Sequence, residues 1–139
     1  VLAAAALVAC TSPKPYEIPA KDRARFGKDV IDVPMPGKPP LIEGIENCVV
    51  WKAQYTGDRI TGWKAALGAD WGGSYPAFMT GCVRQSIEFK DKRVMVYLCA
   101  QAIGAGGGCA NGGLYWSYTG ERPWRTSDDG GAHWYPLPH

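Results

Sequence analysis

Histidine is almost missing from this chain of 139 residues: there are two, His133 and His139, so neither a histidine metal cluster nor a serine-type triad has its parts. Charge of one sign is equally scarce. The formal net charge is +2, too small to argue for a nucleic-acid or anionic-surface ligand. Long apolar runs are absent as well. The longest stands at the start and covers about nine residues, against roughly twenty needed for a membrane-spanning helix. The glycine cluster from Gly104 to Gly108 lacks both the GxGxxG order and a GK[ST] ending, which excludes a nucleotide-binding loop by motif. The cysteines contain no C-x-x-C knuckle, which argues against a thiolate zinc site. No cofactor or metal is expected.

Aromatics and glycine are plentiful, with 6 Trp, 7 Tyr and 18 Gly. The rings supply large apolar area to a small core, while each glycine adds entropy to the unfolded chain. Cysteine is expected to offset that entropy. Setting Cys10 aside, Cys48, Cys82, Cys99 and Cys109 are an even set that reads as two disulfides in an exported domain. Three pairings are open. Cys48–Cys82 with Cys99–Cys109 is favoured because the second bridge would close the glycine-rich segment.

The N-terminus explains why export is expected. Leu7-Val8-Ala9-Cys10 ends an Ala/Leu/Val run and precedes Thr11-Ser12-Pro13-Lys14-Pro15. This resembles the signal of bacterial lipoproteins, with the sequence starting inside its apolar region. The resemblance implies cleavage before Cys10, acylation of that cysteine, palmitate included, and anchoring on the periplasmic side of a membrane. Each buried CH₂ of the acyl chains contributes about 0.8 kcal/mol. Thr11 stands where an aspartate would signal inner-membrane retention, so the resemblance favours the outer membrane. Residues 1–9 are read as the remnant of the signal peptide and 10–41 as a lipidated, proline-rich extended tether. Residues 42–139 are read as the domain.

The expected fold is mainly β, or α+β with one or two short helices: a small disulfide-stabilised antiparallel sheet. One helical turn is expected within Lys21–Lys28, and Val30–Pro36 as an arm lying on the domain or on a partner. Cys48–Tyr55 has strand composition and ends at Gly57-Asp58. Thr61 is expected to cap a short helix over Gly62–Leu67. Cys82–Phe89 and Lys92–Gln101 form the strongest hairpin pattern, with a turn at Lys90-Asp91. Both faces of its second strand are apolar, so that strand is expected to be central.

Near the C-terminus Ser127, Asp129, Gly131 and Trp134 fit S-x-D-x-G-x-x-W. The pattern resembles the Asp-box turn of sialidases and other β-propellers, also found singly in some microbial ribonucleases. That resemblance implies a structural turn. Asp129 would accept backbone N–H bonds and Trp134 would pack beneath it. A propeller needs several times this length. For ribonuclease chemistry Glu88, His133 and Arg84 are the nominal base, acid and phosphate clamp. For glycoside chemistry Glu88, Asp91, Glu121, Asp128 and Asp129 are available, and no spacing selects a pair. The better contact candidates are aromatics and arginines placed on loops: Trp71 and Tyr75, then Tyr115, Trp116, Tyr118, Arg122, Trp124 and Arg125. The leading expectation is a non-catalytic, membrane-anchored accessory lipoprotein docking on a larger envelope protein complex. A carbohydrate- or peptidoglycan-binding lipoprotein is the alternative, and a small secreted hydrolase or hydrolase inhibitor stands third.

Overall fold

The computed structural model describes residues 14–68, 80–102, 111–127 and 134–136. The fold is mainly β, and every strand pairing among the described residues is antiparallel. A short helix α1 (Ala20–Phe26) precedes a four-stranded sheet of β1 (Val30–Val33), β2 (Leu41–Glu46), β3 (Val49–Thr56) and β4 (Arg59–Leu67). A five-stranded sheet follows: β5 (Thr80–Lys90), β6 (Arg93–Ala102), β7 (Asn111–Ser117), β8 (Arg125–Ser127) and β9 (Trp134–Pro136). Strand order equals sequence order in both sheets, so each is a meander.

Two-residue turns set these registers. Asn47 and Cys48 both have positive φ, at 53° and 61°, as do Asp91 and Lys92, at 54° and 59°. Positive φ at both central residues matches the right-handed twist of the flanking strands. The β5–β6 turn therefore falls at Asp91-Lys92, one residue later than expected, and β6 is central as anticipated. Its Val94, Val96 and Leu98 are fully buried. They meet Leu41, Ile45 and Val50 of the other sheet, with Tyr115 and Trp124, in one core between the sheets. Cys48 in the β2–β3 turn is bridged to Cys82 in β5, with Cα atoms 5.5 Å apart, so the bond ties one sheet to the other. This is the favoured pairing. Cys99 is disulfide-bonded too, and its partner lies outside the described residues, as does Cys109.

Two expectations are corrected. Residues Gly62–Leu67 are strand, not helix: the Gly57-Asp58 turn brings the chain back antiparallel to β3, placing Trp63 opposite Ala53 and Ala65 opposite Trp51. Pairing and packing override the helix propensity of Lys64-Ala65-Ala66-Leu67. The segment 14–40 is also no extended tether outside the domain, which does not begin at Ile42, and the arm expected over Val30–Pro36 lies on the domain. Ile18 and Phe26 are buried, and β1 pairs with β2 from Val30↔Gly44 to Val33↔Leu41. The prolines shape this segment without excluding it from the core. Pro19 precedes α1, and its carbonyl accepts from the N–H groups of Asp22 and Arg23. Phe26 lies so close over Gly44 that a Cβ there would enter its ring. The outer face of the four-stranded sheet is thus covered by Ile18, Tyr16 and Phe26 against Ile42, Ala53 and Trp63.

Candidate functional site: the outer face of the five-stranded sheet

Alternation along β5–β8 divides the side chains between two faces. Val94, Val96, Leu98 and Tyr115 turn inward, so Arg84, Ser86, Glu88, Met95, Tyr97 and Trp116 turn outward by register. Trp116 lies opposite Met95 on one side and Arg125 on the other. The Arg93 guanidinium sits 4.9 Å from its ring centroid and that of Arg125 5.7 Å, while Tyr118 meets it edge-on at 4.9 Å. A cation over an indole face is worth about 0.5–1 kcal/mol when exposed and more when desolvated. Trp116 is 6% exposed and Tyr118 63%. The chain thus presents a tyrosine ring and two arginines around a held tryptophan. Arg93 also pairs with Asp91 at 3.8 Å.

The expected contact residues separate here. Trp116, Tyr118 and Arg125 form one cluster, and Arg122 is exposed in the following turn. Tyr115 and Trp124 are core residues, which corrects their assignment to a contact surface. Trp124 is 2% exposed, and its indole N–H donates to the Ala66 carbonyl at 2.8 Å. Burial pushes the Tyr115 hydroxyl up to about 12. Tyr115 and Trp116 are strand residues rather than loop residues, so they point to opposite faces. Trp71 and Tyr75 lie outside the described residues. So do Asp129 and Gly131, the central positions of the Asp-box pattern; β8 and β9 do pair on either side, with Ser127 opposite Trp134.

No constellation for the hydrolytic readings emerges among the described residues. Arg84 and Glu88 are exposed on β5, while His133, Asp128 and Asp129 lie outside the described residues. Asp91 is engaged by Arg93 and Glu121 by Lys52, the latter at 3.6 Å. Among the described residues no group of three or more His, Cys, Asp or Glu is placed to hold a metal ion, and no helix is long and apolar enough to cross a membrane.

Beside the disulfide, an open groove of about 710 Å³ is bordered by Lys28, Asp29, Asn47, Val83 and Arg84. Gln85 closes its floor. Its amide donates to Asp29 at 2.8 Å and to the Ile45 carbonyl at 3.3 Å, and its Oε1 accepts from the Cys48 N–H at 2.9 Å. These bonds satisfy backbone groups where the two sheets meet, so the network is structural.

Two further residues went unread in the sequence. Arg93 fell inside the expected strand Lys92–Gln101 with no role assigned to it; only the register places it against Trp116. Glu43 is fully buried between Ile42 and Gly44 of β2, and neither carboxyl oxygen has a hydrogen-bond partner among the described residues. Desolvation pushes its carboxyl well above the usual range; Lys52 opposes that shift and Glu121 adds to it. Its signal was a lone carboxylate in the run Leu41-Ile42-Glu43-Gly44-Ile45, on the same parity as core residues Leu41 and Ile45. No protein-family model, curated protein or solved structure matches the chain.

Proposed function

We propose that this chain is a lipid-anchored, non-catalytic accessory subunit that docks on a larger envelope protein through the outer face of its five-stranded sheet. The observation that carries the reading is the Arg93–Trp116–Arg125 stack with exposed Tyr118 at its edge. Trp, Tyr and Arg dominate binding energy at protein interfaces, and a ring held in place by two guanidiniums loses little entropy on docking. The cationic groups fit a partner surface bearing carboxylates. Disulfides at Cys48–Cys82 and at Cys99 agree with an oxidising compartment. The anchor rests on Leu7–Cys10, and the outer-membrane placement rests on Thr11.

The test uses the full chain, tagged and purified from native membranes as wild type, as Tyr118→Ala/Arg125→Glu, and as Cys10→Ser. The expected results are a stoichiometric larger subunit with wild type, its loss in the folded face variant, and release of Cys10→Ser into the soluble fraction. Retention on peptidoglycan with no protein partner would replace this reading by the glycan one, for which exposed Tyr118 is the stacking ring.

A further inference from the structure

The residues that follow β7 double back over Glu43. Gly120 has φ 75°, and a Cβ there would collide with Glu43 Oε1. The turn is pinned on both sides. Lys52 Nζ donates to the Thr119 carbonyl at 2.9 Å and pairs with Glu121 at 3.6 Å. Inside the turn, the Ser117 hydroxyl donates to the Glu121 carbonyl and accepts from the Thr119 N–H at 3.2 Å. Lys52 lies directly opposite Glu43 across β2 and β3, yet its ammonium bonds to the turn. The carboxyl beneath is left with no hydrogen-bond partner among the described residues, in a space that admits no side chain above it. Burial without hydrogen bonds disfavours the ionised carboxyl there, even with the Lys52 charge acting on it.

We propose that residues 118–123 form a proton-dependent latch: the turn closes over Glu43 while the carboxyl is protonated and lifts when it ionises. The lifted turn admits water and frees Lys52 to turn toward the carboxylate. Tyr118 and Arg122 ride on this turn, so the latch sets the shape of the docking face; that consequence rests on the proposed docking role. The groups whose charges act at Glu43 are Lys52 and Glu121, and Glu43 in turn bears on Tyr55. The facing sheet adds Tyr115 to the shared core.

The direction of the pH effect follows from linkage. Below the ordinary glutamate range Glu43 is neutral whether the turn is closed or open, and closure carries no penalty. Above it the open form ionises while the closed form keeps its proton. The closed population then falls about tenfold per pH unit relative to the open one, until the closed carboxyl itself titrates. The test uses the isolated full chain, so it does not depend on any partner. The side-chain carboxyl carbon of Glu43 and the amides of Thr119, Gly120 and Glu121 are followed by NMR across pH. One shared midpoint above the ordinary glutamate range is expected, with the protection factors of those amides falling relative to Glu43→Gln, whose protection factors stay constant with pH. Titration of Glu43 in the ordinary range, amides that move at a different midpoint, or a Glu43→Gln profile like wild type would each overturn the latch. The carboxyl and amide titrations need only the unmodified chain, so they decide the question even where Glu43→Gln fails to fold. Failure here leaves the docking reading standing, because Tyr118→Ala/Arg125→Glu tests that separately.

Discussion

Replacing Cys48 and Cys82 together by alanine measures how far the fold depends on its inter-sheet bond. The bridge spans a sequence separation of 34 and encloses β3, β4 and the start of β5. In the chain-entropy account, closing a loop of that size removes about 12.6 cal/mol/K from the unfolded ensemble, or about 3.8 kcal/mol at room temperature. Losing the buried sulfur of Cys48, which is 4% exposed, adds about 1 kcal/mol of packing. The expected loss is therefore about 4–5 kcal/mol, a large part of the roughly 5–15 kcal/mol typical of a domain. Guanidinium unfolding of wild type and the double variant, followed by tryptophan fluorescence, reads this directly. The m-value should rise in the variant, because its unfolded state is more expanded. A loss below about 1 kcal/mol with an unchanged m-value would refute the reasoning. It would mean that residual structure already restricts the unfolded chain as the bridge does.

Phe26→Ala should cost about 3–5 kcal/mol in the same assay, since its ring fills the space over Gly44 and meets Trp63 at 4.7 Å; a near-neutral result would restore the extended-tether reading for this segment. Gly120→Ala should cost at least about 2 kcal/mol, because positive φ and collision with Glu43 act together. Calorimetry on Gly120→Ala and on Gly120→Ala/Glu43→Gly separates the two terms: the second substitution should recover the steric part and leave the φ part.

Local patterning made some of this readable in the sequence. The β5–β6 hairpin was legible because its strands are long, rich in β-branched residues and joined by a two-residue turn. The Cys48–Cys82 bridge was legible as a preference among three pairings. The buried role of Ile18 and Phe26 was not, because proline density is a local signal and burial is decided by what folds over the segment. Likewise, Ala65, Ala66 and Leu67 favour a helix locally, and only the turn at Gly57-Asp58 commits them to β3. At the site, the sequence proposed Tyr115 and Trp116 together. Strand parity necessarily sends adjacent residues to opposite faces, but parity alone does not tell which face is covered. The arginine stack depends on cross-strand register, and Glu43 on a turn arriving from more than seventy positions away.

The meander order of both sheets has a kinetic consequence. Each pairing joins sequence neighbours, and the β2–β3, β3–β4 and β5–β6 pairings close over two-residue turns, so little loop entropy is lost before strands begin to zip. Hairpins of this kind form in about 1–10 μs. What remains slow is the meeting of two preassembled sheets across the shared core. The step expected to limit the rate of folding is therefore a collision between halves rather than a search for strand partners. A chain emerging from its N-terminus can complete the first sheet before the second exists, with less exposed edge at any moment than a sandwich whose strands cross between layers.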